Sequence, residues 1–210
     1  PQLWAWAPWR IYKLKRNCDK LCCILPFEEK WFKDKGLDVS FVGNPLMDGE
    51  KIDFDANLRN FTHFDKNNAS IALMPGSRKA EIETLWMPMQ QIALKLKSRY
   101  PDLKITTVAV DKKTEHKLRT LQLSDLECDY SIHSVISTAE KSDLTLVASG
   151  SATLQVAAAG CPMVIMYQSS KLLWHLFGKW IINLKDLSLV NILAGKQLVP
   201  EFMPYFNSIE

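Results

Sequence analysis

The sequence predicts an α/β protein built on doubly wound parallel sheets. Short apolar runs (LCCIL at 21–25, SIALM at 70–74, LTLVA at 144–148, MVIMY at 163–167) alternate with segments of helical period. Two of these strands run into turns of small residues that open directly into a helix, the arrangement of a parallel sheet with helical crossovers. Hydrophobic residues make up 47% and charged residues 23% of 210 residues, enough to bury a core.

In chain order, residues 21–25 read as a short buried strand stopped by Pro26, with a helix from Phe27 to about Lys35 ended by Gly36. Val39 to Val42 reads as a second strand, terminated by Gly43-Asn44-Pro45, which completes a βαβ unit. Residues 49–69 are polar and aperiodic and read as a linker. Strand 70–74 then leads through Pro75-Gly76-Ser77-Arg78 into a helix reaching about Arg99. Ile82, Leu85, Trp86, Met89, Ile92, Ala93 and Leu96 keep one face of that helix apolar, and Pro88 is expected to kink it. There follow strand 104–110, helix 112–121, a short strand near 128–132, helix 134–141 and strand 144–148. A small-residue helix at 152–159, strand 163–167 and a helix at 171–182 carrying Trp174, Phe177 and Trp180 complete the series.

The net charge of +3 is too mild for a nucleic-acid binder, which needs a concentrated basic stripe. The excess is uneven: Arg10, Lys13, Lys15, Arg16 and Lys20 crowd the first twenty residues beside Trp4, Trp6 and Trp9. That pattern suits an anionic membrane surface and equally a solvated charged helix face. Cys18, Cys22, Cys23, Cys128 and Cys161 lack metal-ligand spacing and read as reduced, mostly buried thiols of a cytosolic protein. The four histidines are scattered, so no metal site is expected. No apolar run is long enough to span a bilayer. The chain starts at Pro1 without an initiating Met and reads as a fragment.

Two turns carry the chemistry. In Pro75-Gly76-Ser77-Arg78 the glycine admits a close ligand, the first helical N–H groups favour an anion, and Arg78 adds a permanent positive fork. The same tetrapeptide is also an ordinary strand–helix turn with an exposed arginine. In Ser149-Gly150-Ser151-Ala152-Thr153 small residues leave room for a diphosphate and three hydroxyls offer donors. Its plainer reading is a helix capped by Ser149 or Ser151. Neither turn is a Walker A loop or a dinucleotide G-x-G-x-x-G fingerprint, and no G-x-S-x-G elbow is present. Triphosphatase, oxidoreductase and triad-hydrolase chemistries are therefore unsupported.

An ordered series of blocks resembles the lipid-A-disaccharide synthases. It begins with Pro1-Gln2-Leu3-Trp4-Ala5-Trp6, Leu25-Pro26-Phe27-Glu28, Val42-Gly43-Asn44-Pro45-Leu46 and Met74-Pro75-Gly76-Ser77-Arg78 with Glu81. It continues with Ala148-Ser149-Gly150-Ser151-Ala152-Thr153-Leu154, Cys161-Pro162-Met163-Val164, Asn191-Ile192-Leu193-Ala194-Gly195 and Val199-Pro200-Glu201. The resemblance implies a GT-B glycosyltransferase, with Rossmann-like domains facing across a cleft. Residues 1–48 would end the N-terminal acceptor-side domain, 49–69 would link, and 70–210 would form the UDP-sugar domain, incomplete at its end. The implied reaction is inverting and metal-independent, with no cofactor. It transfers 2,3-diacylglucosamine from its UDP derivative to 2,3-diacylglucosamine 1-phosphate, making the β-1,6 disaccharide of lipid A and UDP. The setting implied is the cytoplasmic face of the inner membrane of a Gram-negative bacterium, with homodimers through the C-terminal region and no nucleic-acid partner.

By the same resemblance, the UDP-sugar site comprises Gly76, Ser77, Arg78, Ser149, Gly150, Ser151, Thr153, Gln155 and Asn191. Asn191 would reach the phosphates and Gln155 would lie near the ribose or uracil. The general base would lie upstream of Pro1, leaving no catalytic residue here. Glu28, Glu81 and Glu201 match family positions and read equally as helix-start or structural carboxylates. Three positions depart from the pattern: Gln155 stands for the usual Glu, Asn44 for a His, and Ala7 for an Arg, with Arg10 three residues on. Two other readings stay open: a different GT-B UDP-sugar enzyme of cell-envelope synthesis, and a non-catalytic nucleotide-sugar-binding relative.

Overall fold

The computed structural model describes residues 3–6, 8–47, 65–167 and 188–202. They fall into two compact units, one holding the described residues up to 47 and the other the rest.

The first unit contains α1 (Leu3–Trp6), α2 (Ile11–Asn17), β1 (Leu21–Cys23), α3 (Pro26–Lys33) and β2 (Val39–Phe41). β1 and β2 are parallel, with Leu21 opposite Val39, so the expected βαβ unit forms. Pro26 stops the strand by opening the helix: its missing N–H falls where no intrahelical partner exists. Leu3, Ile11, Leu21, Cys23, Phe32, Leu37 and Val39 pack into the unit's core. Glu28 is buried beneath it and accepts hydrogen bonds from the Leu25 N–H (3.2 Å) and the Trp4 indole (2.8 Å). The indole also meets Phe27 edge-on at 4.8 Å.

The second unit contains β3 (Ser70–Met74), α4 (Lys79–Arg99), β4 (Lys104–Ala109), α5 (Lys112–Thr120), β5 (Asp129–Ile132) and α6 (Val135–Glu140). It continues with β6 (Leu144–Ala148), α7 (Ala152–Ala158), β7 (Met163–Met166), α8 (Leu189–Ala194) and β8 (Glu201–Phe202). Its six strands are all parallel, in the order β5-β4-β3-β6-β7-β8. Counted from β3 this is the Rossmann order, as the sequence predicts for the fold class. Near-continuous apolar strands such as β3 and β6 follow from burial on both faces.

α4 buries the face that its period marks: Ile82, Leu85, Trp86, Met89 and Ala93 are inside, with Ile92 and Leu96 partly covered. Its helical span is unbroken across Pro88. Gln90 is also fully buried, a polar residue the apolar period does not mark. Its amide is satisfied by the Leu121 carbonyl (3.2 Å) and the Leu123 N–H (2.7 Å). α8 and β8 add to the elements read from sequence; two strand residues are too few for a period. The expected helix 171–182 and most of the expected linker lie outside the described residues. Only Cys23 and Cys161 are buried outright, fewer than expected, and Cys22 is exposed. Among the described residues no helix is long and apolar enough to cross a membrane.

Candidate functional site

β3 and β6 lie side by side, with Leu73 opposite Leu146 and Met74 opposite Val147. The chain leaves β3 toward β4 and β5 on one side, and resumes at β6 to build β7 and β8 on the other. The strand order therefore reverses between these two strands, and such a reversal opens a crevice at their carboxyl ends. The Pro75–Arg78 turn leaves β3 and the Ser149–Thr153 turn leaves β6. Two turns 74 residues apart, counting from Pro75 to Ser149, thus emerge from neighbouring central strands at the carboxyl end of the sheet.

The first turn is built around a carboxylate. Gly76 has φ +99°, which side chains rarely adopt. Glu81, in the first turn of α4, folds back so that its Oε2 accepts the N–H groups of Ser77 and Arg78, each at 3.1 Å. Its Oε1 accepts from the Arg78 Nη1 at 2.8 Å. This is a capping arrangement in which the helix supplies its own anion. Ser77 and Arg78 are exposed, and the Arg78 side chain is 80% accessible. A Cβ at Gly76 would collide with the Glu81 carboxylate and approach the Glu81 Cβ to 2.9 Å. Gly76→Ala is therefore expected to destabilise the fold by about 1–2 kcal/mol through backbone strain. A lowered urea midpoint at unchanged slope is the check.

The second turn is more open. Gly150 and Ser151 are exposed, and Ser149 and Gln155 are half-buried. Ser151 occupies the cap position of α7 without a side-chain cap bond, so its hydroxyl is not used in the way the plainer reading expects. The Ser149 N–H extends the ladder to the Met166 carbonyl (3.0 Å). Burial pushes the neighbouring Tyr167 phenol above its ordinary pKa, opposed by the Ser149 side chain. Thr153, expected as a ligand, is fully buried, and its hydroxyl donates to the Gly150 carbonyl at 2.7 Å.

Asn191, expected to reach the phosphates, is completely buried in α8, and its side-chain amide is engaged by residues 198–201. Nδ2 donates to the Val199 carbonyl (2.9 Å) and to Glu201 Oε1 (2.5 Å). Oδ1 accepts from the N–H groups of Leu198 (2.8 Å) and Val199 (3.0 Å). Two donors and two acceptor positions are the whole capacity of an amide, so none remains for a phosphate in this arrangement. Glu201 also accepts from the Ser188 N–H (3.1 Å) and Ser188 Oγ (2.5 Å), with the Tyr167 hydroxyl at 3.5 Å. Ser188, Glu201 and Tyr167 were not singled out as site residues by sequence. Their meeting is long-range, and no local spacing announces it. Glu28, Glu81 and Glu201, ambiguous from sequence, all accept hydrogen bonds within the fold.

In the first unit, Asn44 accepts the Leu46 N–H at 3.2 Å and so fixes the turn at Pro45–Met47, a task suited to its short amide. Arg10 is exposed at the start of α2. Among the described residues no group of His, Cys, Asp and Glu is placed to hold a metal ion.

Comparison with known proteins gives this geometry a family. The family model described as lipid-A-disaccharide synthetase matches residues 1–207. The chain belongs to the lipid-A-disaccharide synthetase family. Relatives named lipid-A-disaccharide synthase include one from Wigglesworthia glossinidia brevipalpis, 36% identical over 205 residues, covering 96% of this chain and 53% of the relative. Another, from Geobacter sulfurreducens, is 32% identical over 206 residues, covering 97% and 53%. A third, from Salmonella paratyphi A, is 31% identical over 208 residues, covering 97% and 54%. The chain spans about half the length of these curated relatives.

Proposed function

We propose that this chain is the nucleotide-sugar half of a lipid-A-disaccharide synthase. Residues 1–48 then close the acceptor-side domain, 49–69 link, and 70–210 hold the UDP-sugar. The enzyme transfers 2,3-diacylglucosamine from UDP to 2,3-diacylglucosamine 1-phosphate with inversion and without a metal. The carrying observation is that the Pro75–Arg78 and Ser149–Thr153 turns leave the two strands that flank the sheet's reversal point. Gly76, Ser77, Arg78, Ser149, Gly150, Ser151 and Gln155 line the donor site. Thr153 and Asn191 shape it from behind, since their side chains are engaged within the fold.

In such a transfer the bond from the sugar to UDP breaks as negative charge builds on the diphosphate. Arg78, rigidly charged and turned to solvent, is placed to meet that charge. The exposed Gly150–Ser151 peptide and the Ser151 hydroxyl add neutral donors. Gln155 keeps a carbonyl acceptor for a ribose hydroxyl where relatives by resemblance carry a carboxylate. Calorimetric titration of the chain with UDP tests the site directly. Saturable binding that Arg78→Ala weakens supports it, and no binding overturns it. With the general base expected upstream, the 210-residue chain itself is expected to form no disaccharide when given both lipid substrates. Turnover by this chain alone would show that the base lies within it.

The reading also places the enzyme at the inner-membrane surface. Trp9 is 62% and Tyr12 76% exposed, beside exposed Arg10, Lys13, Lys15, Arg16 and Lys20. Amphipathic rings next to cations suit a headgroup layer. Trp4 is excluded from that surface role by its bond to Glu28, and the Trp174–Trp180 segment lies outside the described residues. Trp9→Ser with Tyr12→Ser is expected to reduce co-sedimentation with anionic phospholipid vesicles by about threefold to tenfold at unchanged melting temperature. Unchanged co-sedimentation would leave these residues a solvated face. Gln155 and Asn44 keep one second reading in view, a non-catalytic nucleotide-sugar binder. It predicts UDP binding without turnover even when the acceptor half is present.

A further inference from the structure

The Gly76–Arg78 turn has the form of an anion cradle, yet the carboxylate of Glu81 already sits in it. Both backbone N–H groups that would greet a phosphate, those of Ser77 and Arg78, donate to Glu81 Oε2 at 3.1 Å. The other carboxylate oxygen holds Arg78 Nη1 at 2.8 Å. A diphosphate arriving here therefore meets either a displaced Glu81 or the outward face of an Arg78 that Glu81 holds. The two cases predict opposite effects of removing the carboxylate.

The packing favours the second case. An ion pair to an arginine this exposed would order little by itself. Glu81, however, is anchored by the backbone rather than by Arg78. It is 22% accessible in its side chain, caps the first turn of a 21-residue helix, and lies so close to Gly76 that no Cβ fits between them. Arg78 has five N–H donors and gives one of them to Glu81, leaving the rest of the fork facing solvent. A long side chain that would otherwise sample many rotamers is thus tethered at one corner, which lowers the entropy lost when the remainder binds an anion.

We propose that Glu81 is a positioning residue for the donor diphosphate, acting through Arg78 rather than by touching the ligand. This rests on the reading of Arg78 as a diphosphate contact. The test is a double-mutant cycle of UDP affinity by calorimetry on the 210-residue chain, below the melting temperature of each variant. It is paired with the side-chain nitrogen NMR signals of Arg78. Glu81→Ala is expected to weaken UDP binding about tenfold in the wild-type background and by under roughly twofold when Arg78 is already alanine. Glu81→Gln, which keeps the shape and can accept from the backbone or from Arg78 but not fully from both, is expected to fall between. It also guards against a fold defect in the alanine variant. In the wild-type chain the Arg78 terminal nitrogens are expected to give resolved signals at low temperature through hindered rotation, and to merge in Glu81→Ala.

Tighter UDP binding by Glu81→Ala would overturn the proposal, because Glu81 would then be an obstruction that the ligand displaces. An equal loss in both Arg78 backgrounds would overturn it as well, since Glu81 would be acting through the fold alone. Failure of the wild-type chain to bind UDP would remove the donor-site reading instead. The NMR comparison would then decide only whether Glu81 orders Arg78: merged signals already in the wild type overturn that ordering too, and signals that merge only on Glu81→Ala sustain the ordering while its role toward a diphosphate falls with the site.

Discussion

Arg78→Ala is expected to lower turnover on the order of 100-fold in a protein that carries both halves, while the melting temperature without UDP stays unchanged. The asymmetry follows from where the side chain is. It is 80% accessible, and its ion pair with Glu81 is a surface pair. Such pairs contribute about 0–1 kcal/mol to stability. The Glu81 cap on the Ser77 and Arg78 N–H groups does not need the guanidinium and survives its loss. For the reaction the balance is different. A preorganised charged donor meets a diphosphate more strongly as its charge grows, so the loss falls on kcat as well as on binding. Losing one such donor typically costs on the order of 3 kcal/mol. Arg78→Lys should recover only part, since an ammonium makes no bidentate contact. Normal turnover with a much lower melting temperature would make Arg78 structural and move the diphosphate elsewhere.

What was legible in the sequence depended on range. Strands β3 and β6 were read at the bounds they have, because burial on both faces demands an unbroken apolar run. The α4 face was legible because 21 residues repeat its period many times. The two turns were legible as strand–helix junctions, but their adjacency was not, since the order of strands is set by crossovers and no local residue encodes it. Side-chain engagement within the fold was not legible. Thr153 and Asn191 carry ligand-like groups in small-residue or polar settings, yet both are buried and satisfied by nearby carbonyls, N–H groups or Glu201. The Arg78-x-x-Glu81 spacing is that of a capping box without the usual hydroxyl at the cap, and it did hold the signal for the occupied cradle.

Asn191→Ala is expected to destabilise the chain by about 2–3 kcal/mol, a fall of roughly 5–10 °C in melting temperature for a chain of this size. The substitution removes all four hydrogen bonds of the amide at once. Three of the partners belong to the 198–199 backbone, where water can replace part of the loss because Leu198 is exposed. The fourth is Glu201, which keeps Ser188 and Tyr167 as donors and so is not stranded as a bare charge. These two reliefs hold the figure below the roughly 3–5 kcal/mol of breaking a fully buried charge pair. The damage should be local, loosening 195–200 and its junction with β7 while the six-stranded sheet persists. UDP affinity is then expected to fall by less than about tenfold. Urea melts of the variant, read beside UDP titrations at a temperature where it is folded, separate the two roles open to Asn191. A loop clip loses stability first. A phosphate ligand would lose affinity with the urea midpoint unmoved, and that result would require the amide to turn away from Val199 and Glu201 when UDP binds.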